Sequence, residues 1–376
     1  MGIFRKLKIT FQNLSGRTVR ELIAMSVILC LSIALSLPAL NEDIRQYRIQ
    51  KLEDDGIENS TAEAQGMDAD TLNGAARYLD TYDATSLIVV RHSKIVLEKY
   101  YSGSRDSTSN VFSVTKSFIS ALTGIALHEG FIKGREDSLE KYLPSYYKNS
   151  IDPGWKDINI MHLLTMTQGF SDDMERWTSS QDWVGFTFGL PLHERPGVKF
   201  HYANSATHLL SAVITDASGT DTLTFANKYL LEPLHFKNAS WSKDPKGYYT
   251  GYANMFLRSR DMAKFGCLYL NDGKWEGRQL VPQEWVKEST KVQYDFNKEE
   301  DRGFENGYGF LWWISGETGY HMFSALGYGG QSIDVIPDLD LVVVITSVPN
   351  QTLSVDNAQR LELLEKYVIP SIMDKQ

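Results

Sequence analysis

The chain has 376 residues, of which 42% are hydrophobic and 23% are charged, and its formal net charge is -9. This length and composition suit one large globular domain or two small ones. The acidic balance, without a long basic run, argues against nucleic acid as a partner. Two cysteines, Cys30 and Cys267, provide neither a disulfide framework nor a zinc spacing, and no His-Glu-x-x-His motif occurs. We therefore expect no metal site and no cofactor.

The amino terminus has the composition of a targeting segment. Residues 22–40 carry no charge, and as a helix they would span about 28 Å, close to the thickness of a bilayer core. Residues 1–21 are basic, which favours a cytoplasmic location for them. We interpret 22–40 as an uncleaved signal anchor, with a signal peptide cleaved after Ala39 or a buried core helix as alternatives. The remainder would then lie outside the cytoplasm, in the periplasm or at the cell surface.

The rest of the chain is predicted to hold one folded domain. Residues 41–66 are charged and turn-rich, which is typical of a linker, and residues 67–376 follow as the domain. Two apolar runs, 86–90 and 94–97, flank a short turn and predict a β-hairpin. A helix with apolar residues at helical spacing follows and ends at Gly130.

A long middle section, about residues 135–290, is predicted to be mostly helical, with helices near 161–164, 205–217 and 260–270. Late strands are predicted at 308–314, 331–336 and 341–346, before a last helix at 356–372. This order predicts an α+β fold, with an antiparallel sheet flanked by terminal helices and a large helical lobe inserted.

Ser113 and Lys116 lie three residues apart at the start of that first apolar helix, in the run NVFSVTKSF. One helical turn brings such side chains together, which is the arrangement of a serine nucleophile whose base is a lysine. Burial disfavours a charged ammonium, so Lys116 could have a lowered pKa and accept a proton. The alternative without a catalytic role is a serine that caps the helix, followed by a lysine at the surface.

The Ser-x-x-Lys spacing by itself is weak evidence, because it also occurs at Ser145 and Ser240. Neither of those pairs has an amphipathic helix behind it, so we expect both to be incidental. No Gly-x-Ser-x-Gly elbow surrounds any serine, which argues against an α/β-hydrolase.

Several further stretches, together with the Ser113 motif, resemble the serine β-lactamase and penicillin-binding-protein superfamily, specifically its class C β-lactamase-related branch. The stretches are Tyr142-Leu143-Pro144, 162–169 (HLLTMTQG), 195–205 (RPGVKFHYANS), 260–266 (RDMAKFG) and 327–331 (GYGGQ). They run from about residue 83 to residue 349 in the family's order. The resemblance implies a β-lactamase/transpeptidase-like fold and a serine hydrolase, and this branch also holds esterases and amide hydrolases.

The family's Tyr-x-Asn element occurs at Tyr202, Tyr252 and Tyr147. We select Tyr202, because it follows a Pro-Gly turn and precedes an amphipathic helix, as in the family. The resemblance implies that Tyr202 relays a proton between Ser113 and the leaving group, and that Asn204 donates to Lys116 or to a substrate carbonyl. A buried aromatic without a catalytic role is the alternative for Tyr202.

The family's third element lies on a strand beside the pocket, and Tyr328-Gly329-Gly330 is the best match to it. No Lys-Thr-Gly occurs, so a cation that would pair with a carboxylate-bearing substrate is missing. The resemblance implies an oxyanion hole made by the backbone N–H groups of Ser113 and Gln331. A glycine-rich turn before a strand would also be ordinary in a protein without this chemistry.

We therefore expect a serine hydrolase that cleaves a small ester or amide through an acyl-enzyme on Ser113. Two alternatives stay open: a β-lactamase or cell-wall D-Ala peptidase, and a non-catalytic binding protein of the same fold. The predicted partners are a small-molecule substrate and, through the amino-terminal segment, a membrane.

Overall fold

A computed structural model describes residues 56–296, 306–349 and 357–373 of the chain. The described residues from Ile57 onwards form one compact unit. The predicted basic segment, the predicted membrane segment at 22–40 and the linker up to residue 55 lie outside the described residues. Within the described ranges, no helix combines the length and the apolar character needed to cross a bilayer. Residues 57–66, the last part of the predicted linker, lie against the sheet, where Asn59 forms a β-bridge with Ile95.

The helices in the described part of the chain are α1 (Ala69–Leu79), α2 (Thr115–His128), α3 (Pro144–Tyr147), α4 (Ile160–Leu164), α5 (Met174–Ser179), α6 (Trp183–Phe188), α7 (Asn204–Ser218), α8 (Thr222–Ala226), α9 (Ser259–Leu270), α10 (Gln283–Ser289) and α11 (Asn357–Leu363). Single 3-10 turns precede or link several of them, and wider π turns extend α8 and α11.

The strands are β1 (Ala84–Arg91), β2 (Lys94–Tyr100), β3 (Thr108–Asn110), β4 (Ser240–Trp241), β5 (Met255–Arg258), β6 (Lys274–Trp275), β7 (Arg278–Gln279), β8 (Tyr294–Asp295), β9 (Gly307–Tyr308), β10 (Trp313–Ser315), β11 (Met322–Gly327), β12 (Gln331–Ile336) and β13 (Leu341–Ser347). Eight of them form an antiparallel sheet in the order β2-β1-β13-β12-β11-β10-β9-β8. Three of the remaining strands form a small sheet in the order β3-β5-β4, and β6 pairs with β7.

The large sheet is buried on both faces at its centre. Successive side chains of a strand point to opposite faces, so alternate residues enter two different cores. One set of alternate residues in β1 and β13 belongs to the larger core, which also contains α2, α7 and α9: Ile88, Val90, Val342 and Val344. The other set packs under the terminal helices α1 and α11: Leu87, Val89, Val343 and Ile345. Two apolar faces explain why β13 is a continuous apolar run rather than an alternating one.

The predicted fold class is confirmed: the architecture is α+β, with both terminal helices on one face of an antiparallel sheet and a mostly helical lobe inserted between β2 and β8 of that sheet. The predicted hairpin is β1–β2, and its two turn residues, His92 and Ser93, have positive φ angles of 50° and 58°. Such a pair is typical of a two-residue hairpin turn that matches the twist of its strands.

The strand predictions differ from the structure, because one predicted strand is divided in two and the strands β3 to β8 and β11 were not predicted. The expected strand at 308–314 is two strands, β9 and β10, because the chain reverses between them: the Gly309 N–H donates to the Trp312 carbonyl at 2.8 Å, and Leu311 has a φ of 61°. Strand β11 was missed, since its sequence MFSALG has neither an alternating pattern nor β-branched residues.

Candidate active site

Ser113 lies in a single 3-10 turn, Phe112–Val114, immediately before α2. Its side chain is half-buried and therefore reachable from solvent. Phe112, the residue before it, has a φ of 46° in the left-handed region, which is uncommon for a bulky residue. Backbone strain of this kind persists only where the surroundings fix it, and it is concentrated at functional sites. The turn thus presents Ser113 at the surface while α2 runs into the core.

Lys116, in the first turn of α2, is 1% exposed, and its Nζ lies 3.0 Å from Ser113 Oγ. The ammonium also donates to Asn204 Oδ1 at 2.7 Å and to the Tyr252 carbonyl at 3.1 Å. These three acceptors are all uncharged. Burial lowers the pKa of Lys116 to about 7, although the charge of Asp172 acts in the opposite direction. Near neutral pH a large share of Lys116 is therefore a free amine beside a serine hydroxyl, as a general base must be.

Tyr202 lies over the same group, with Lys116 Nζ 4.8 Å from the centre of its ring. Its outer face stacks on Trp313, with the ring centres 5.7 Å apart and the planes at 23°. Tyr202 is 36% exposed. Desolvation of its hydroxyl raises the pKa of Tyr202, and the interaction with Ser113 lowers it in part. A neutral phenol beside Ser113 can donate a proton and accept another.

Asn204 is the first residue of α7, and Asp172 fixes it there. The Asp172 carboxylate accepts from the backbone N–H of Asn204 and from the N–H and hydroxyl of Ser205. A carboxylate at a helix amino terminus satisfies free N–H groups and favours the helix dipole. Since Asn204 Oδ1 accepts from Lys116, this cap also determines where the lysine points. Sequence reasoning missed Asp172, because no local motif connects it to residues about thirty positions later.

The β11–β12 hairpin packs against the turn that carries Ser113, and the two backbones come close together at Gly327. A Cβ at Gly327 would lie 2.4 Å from the Val111 carbonyl and 3.3 Å from the Ser113 nitrogen, so only glycine fits. Tyr328, which follows it, is 64% exposed, and its ring meets that of Phe112 edge to face at 5.7 Å.

Gly329 and Gly330 make the tip of this hairpin, with φ angles of 75° and 83°. Gln331 pairs with Gly327 across the hairpin, and its buried side chain exchanges hydrogen bonds with the backbone of Ser347 in β13. The Gln331 side chain thus fixes the hairpin to the sheet. The oxyanion role predicted for its N–H stays a prediction.

The competing motif matches lie elsewhere or have other roles. Ser145 and Ser240 are exposed, and so are the lysines three residues after each of them. Tyr252 does reach the site: its backbone carbonyl accepts from Lys116, and the centre of its ring lies 5.6 Å from Lys116 Nζ. Its ring packs against Trp177 and Trp183. Among the described residues, no group of three or more His, Cys, Asp or Glu side chains could hold a metal ion.

A half-buried serine, a buried lysine and a tyrosine thus meet beside the large sheet, which is the arrangement of a class of serine hydrolases, and comparison with known proteins agrees with this class. The β-lactamase family model matches residues 61–365. The chain belongs to the β-lactamase family.

Several individual relatives have the names of hydrolases or β-lactamases. The chain is 25% identical over 284 residues to the 6-aminohexanoate-dimer hydrolase of Paenarthrobacter ureafaciens, a match that covers 69% of this chain and 71% of the relative. In structure it resembles EstCE1, a hydrolase with promiscuous acyltransferase activity, with a TM-score of 0.67, 16% identity, and coverage of 81% and 98% of the two chains. It also resembles a mutant of a class C β-lactamase, with a TM-score of 0.63, 13% identity, and coverage of 80% and 96%. The chain is a serine hydrolase.

Proposed function

We propose that this hydrolase cleaves small esters or amides through a covalent acyl-enzyme on Ser113. One observation carries the assignment: a buried lysine with a pKa of about 7 lies 3.0 Å from a half-buried serine and has only uncharged hydrogen-bond partners within the described residues. A buried lysine here lowers the stability of the fold, because its ammonium is desolvated and no contacting carboxylate compensates it. Its presence is therefore better explained by a function than by a contribution to stability.

The geometry supports a two-step acyl transfer. Lys116, as the free amine, takes the proton of Ser113 while Oγ attacks the carbonyl carbon and forms a tetrahedral oxyanion. That oxyanion lies between the Ser113 segment and the hairpin at Gly327, where backbone N–H groups can donate to it; one such donor is typically worth about 3 kcal/mol. Tyr202 then gives its proton to the leaving alcohol or amine, and the carbonyl reforms as the acyl-enzyme.

Hydrolysis of the acyl-enzyme uses the same groups in reverse. Water enters where the leaving group stood and gives a proton to the Tyr202–Lys116 pair as it attacks the acyl carbon. The second tetrahedral intermediate collapses, Ser113 Oγ takes a proton back, and the free acid departs. The site returns to its starting protonation with one ester or amide bond broken and one water consumed.

The charges of the site favour a substrate without a carboxylate near the scissile bond. Asp172 is the charged group that acts on the pKa values of Lys116, Tyr202 and Tyr252, and in each case it raises them. Its negative field repels anions, and Tyr328 stands where the Lys-Thr-Gly cation of lactamases is expected. Turnover of penicillins or D-alanyl peptides, which carry such a carboxylate, is therefore disfavoured. The name of the 6-aminohexanoate-dimer hydrolase makes amides as plausible a substrate class as esters.

The assignment is tested with Ser113→Ala and the matched control Ser145→Ala, which removes the serine of an exposed Ser-x-x-Lys pair. Each protein is incubated with a fluorophosphonate probe, with p-nitrophenyl esters and with a penicillin, and its intact mass is measured. We expect an adduct and ester turnover in the wild type and in Ser145→Ala, and neither in Ser113→Ala.

An adduct on Ser113→Ala would place the nucleophile elsewhere. A wild-type protein that no probe labels would indicate the non-catalytic binding protein instead. A lasting penicillin adduct would replace the ester or amide assignment with a cell-wall peptidase.

We also propose that the catalytic domain acts outside the cytoplasmic membrane. The proposal is supported by the uncharged stretch 22–40, which follows the basic residues 1–21. Basic residues favour the cytoplasmic side of a membrane segment, so the domain after it would lie on the other side. Fractionation of cells that express the full chain, followed by protease treatment of spheroplasts, tests this. Digestion of the domain in intact spheroplasts is the expected result, and protection until lysis would contradict it.

A further inference from the structure

Two residues near the catalytic group have left-handed backbones although neither is glycine. Phe112, with a φ of 46°, immediately precedes Ser113. Asn254, with a φ of 60°, lies two residues after Tyr252, whose carbonyl accepts from Lys116. This conformation is costly for the bulky Phe112 and milder for Asn254, because asparagine tolerates the left-handed region, and a strained backbone persists only where neighbouring groups hold it.

One side chain holds both of these backbones. Asn110 Oδ1 accepts from the Phe112 N–H at 2.9 Å and from the Asn254 N–H at 3.2 Å. Asn110 Nδ2 completes a reciprocal pair by donating to Asn254 Oδ1 at 3.0 Å. We name these two residues the asparagine clamp.

The clamp joins the two segments that Lys116 touches. One segment carries Ser113, and the other carries the Tyr252 carbonyl, and Nζ lies between them at 3.0 and 3.1 Å. Pairing of β3 with β5 already connects these segments through backbone hydrogen bonds, from Thr108 to Asn110 and through the Val111 N–H to the Met255 carbonyl. The asparagine side chains are therefore not required for the sheet. They hold the two left-handed residues that flank the paired strands, Phe112 after β3 and Asn254 before β5.

We propose that Asn110 and Asn254 are positioning residues that fix Ser113 and the Tyr252 carbonyl relative to each other and thereby hold the Lys116 amine on the serine hydroxyl. This inference rests on the function proposed above. Without the clamp, Phe112 relaxes to an ordinary φ and Ser113 moves off Nζ. A displacement of about 1 Å at a reacting group can cost on the order of 100-fold in rate.

The clamp also has a consequence for pH dependence. Hydrogen bonding of the ammonium to the Tyr252 carbonyl favours the charged form of Lys116. When the carbonyl moves away, the pKa of Lys116 falls, and the acidic limb of the acylation rate moves to lower pH. A change that merely reduced the folded fraction would lower the amplitude of the profile and leave its midpoint in place.

The test compares Asn110→Ala, Asn254→Gly and Asn254→Ala with the wild type by the rate of Ser113 acylation and by steady-state ester hydrolysis. Asn238→Ala is the matched control, because Asn238 also has a left-handed backbone, with a φ of 57°, outside the site. We expect Asn110→Ala to lower kcat on the order of 100-fold, to leave KM nearly unchanged, and to move the acidic limb to lower pH.

Asn254→Gly keeps the left-handed backbone and its N–H but loses the side-chain bond, so we expect it to retain more activity than Asn254→Ala. It also provides the readout if Asn110→Ala does not fold. The control should keep the wild-type kcat and midpoint.

Wild-type kcat and an unmoved midpoint in the folded clamp variants would overturn the proposal. If Ser113→Ala is still acylated, the proposed function fails instead, and the two failures are thereby distinguished.

Discussion

Two buried lysines of this domain share the same local arrangement and have opposite roles. Lys116 is 1% exposed, Lys264 is 0% exposed, and each lies in the first half of a buried helix and bonds to the side chain three residues before it. For Lys264 that residue is Asp261, whose carboxylate accepts at 2.9 Å and also forms a two-bond pair with Arg258. For Lys116 it is Ser113, which has no charge.

The difference shows what a contacting carboxylate does for a buried amine. A carboxylate in direct contact compensates the lost hydration of an ammonium, whereas neutral acceptors compensate it only in part. Asp261 connects α9 to Arg258 at the end of β5, and the Lys264 ammonium additionally donates to the His235 carbonyl. Lys116 is left with a pKa of about 7 and so can lose its proton under physiological conditions. The same spacing builds a buried ion pair in one place and, in the mechanism we propose, a base in the other.

The largest expected effect comes from replacing each lysine with methionine, which keeps the length of the side chain and removes its charge. Lys116→Met should lower ester turnover by about 1,000-fold, since a general base contributes roughly 100- to 10,000-fold. Its free energy of unfolding should change by no more than about 1.5 kcal/mol, because the partners left behind are neutral. Lys264→Met should lose about 3 kcal/mol of stability, because it breaks a buried ion pair.

Urea denaturation and initial rates on the same preparations measure both effects, and the activity of Lys264→Met should equal that of the wild type per folded molecule. Loss of stability in Lys116→Met and loss of activity in Lys264→Met, the reverse pattern, would contradict the distinction between the two lysines.

The second prediction concerns the two tyrosines beside Lys116. Tyr202→Phe removes the proton relay and should lower kcat by about 100-fold. Tyr252→Phe should stay near the wild-type rate, because Tyr252 contacts Lys116 through its backbone carbonyl. Stopped-flow acylation with a p-nitrophenyl ester distinguishes them. If Tyr252→Phe is inactive and Tyr202→Phe is active, the proton relay is Tyr252 and not Tyr202.

A smaller effect is expected from Asp172→Asn. The charge of Asp172 raises the pKa of Lys116, so its removal should lower that pKa and move the acidic limb of the rate to lower pH. The asparagine can still accept hydrogen bonds at the start of α7, and loss of the better cap should cost about 1 kcal/mol of stability. A pH titration of kcat/KM measures the shift. Movement of the limb to higher pH would contradict this account of the charge.

Much of the large architecture could be predicted from the sequence, because it depends on repeating patterns. The apolar runs of β1 and β13 and the helical spacing in α2 are local signals, and the hairpin and helix they predict are present. The reversal at Leu311 was not foreseen, since its left-handed backbone is set by the contacts of the chain around Gly309 and Trp312. Local patterns predict elements better than they predict where an element is interrupted.

The residues proposed to carry out the chemistry were predicted from the sequence, but the groups that position them were not. Ser113, Lys116 and Asn204 are brought together with Tyr202, but the Ser-x-x-Lys spacing alone would have selected Ser145 or Ser240 as readily as Ser113. The supporting groups escaped prediction because they act through space. Asp172 caps a helix that starts about thirty residues later, and Tyr252 contributes a backbone carbonyl, which no side-chain motif can reveal.

The central claim, that Lys116 is a buried amine which deprotonates near neutral pH, is tested most directly by the pH dependence of Ser113 acylation in the wild-type enzyme. Single-turnover rates with a neutral ester between pH 5 and pH 10 should rise with increasing pH through a midpoint of about 7, the pKa of Lys116, and then reach a plateau. The midpoint should lie at the same pH for esters with different leaving groups. A rate that still climbs toward the ordinary lysine pKa, or one that does not change over the whole range, would contradict the account.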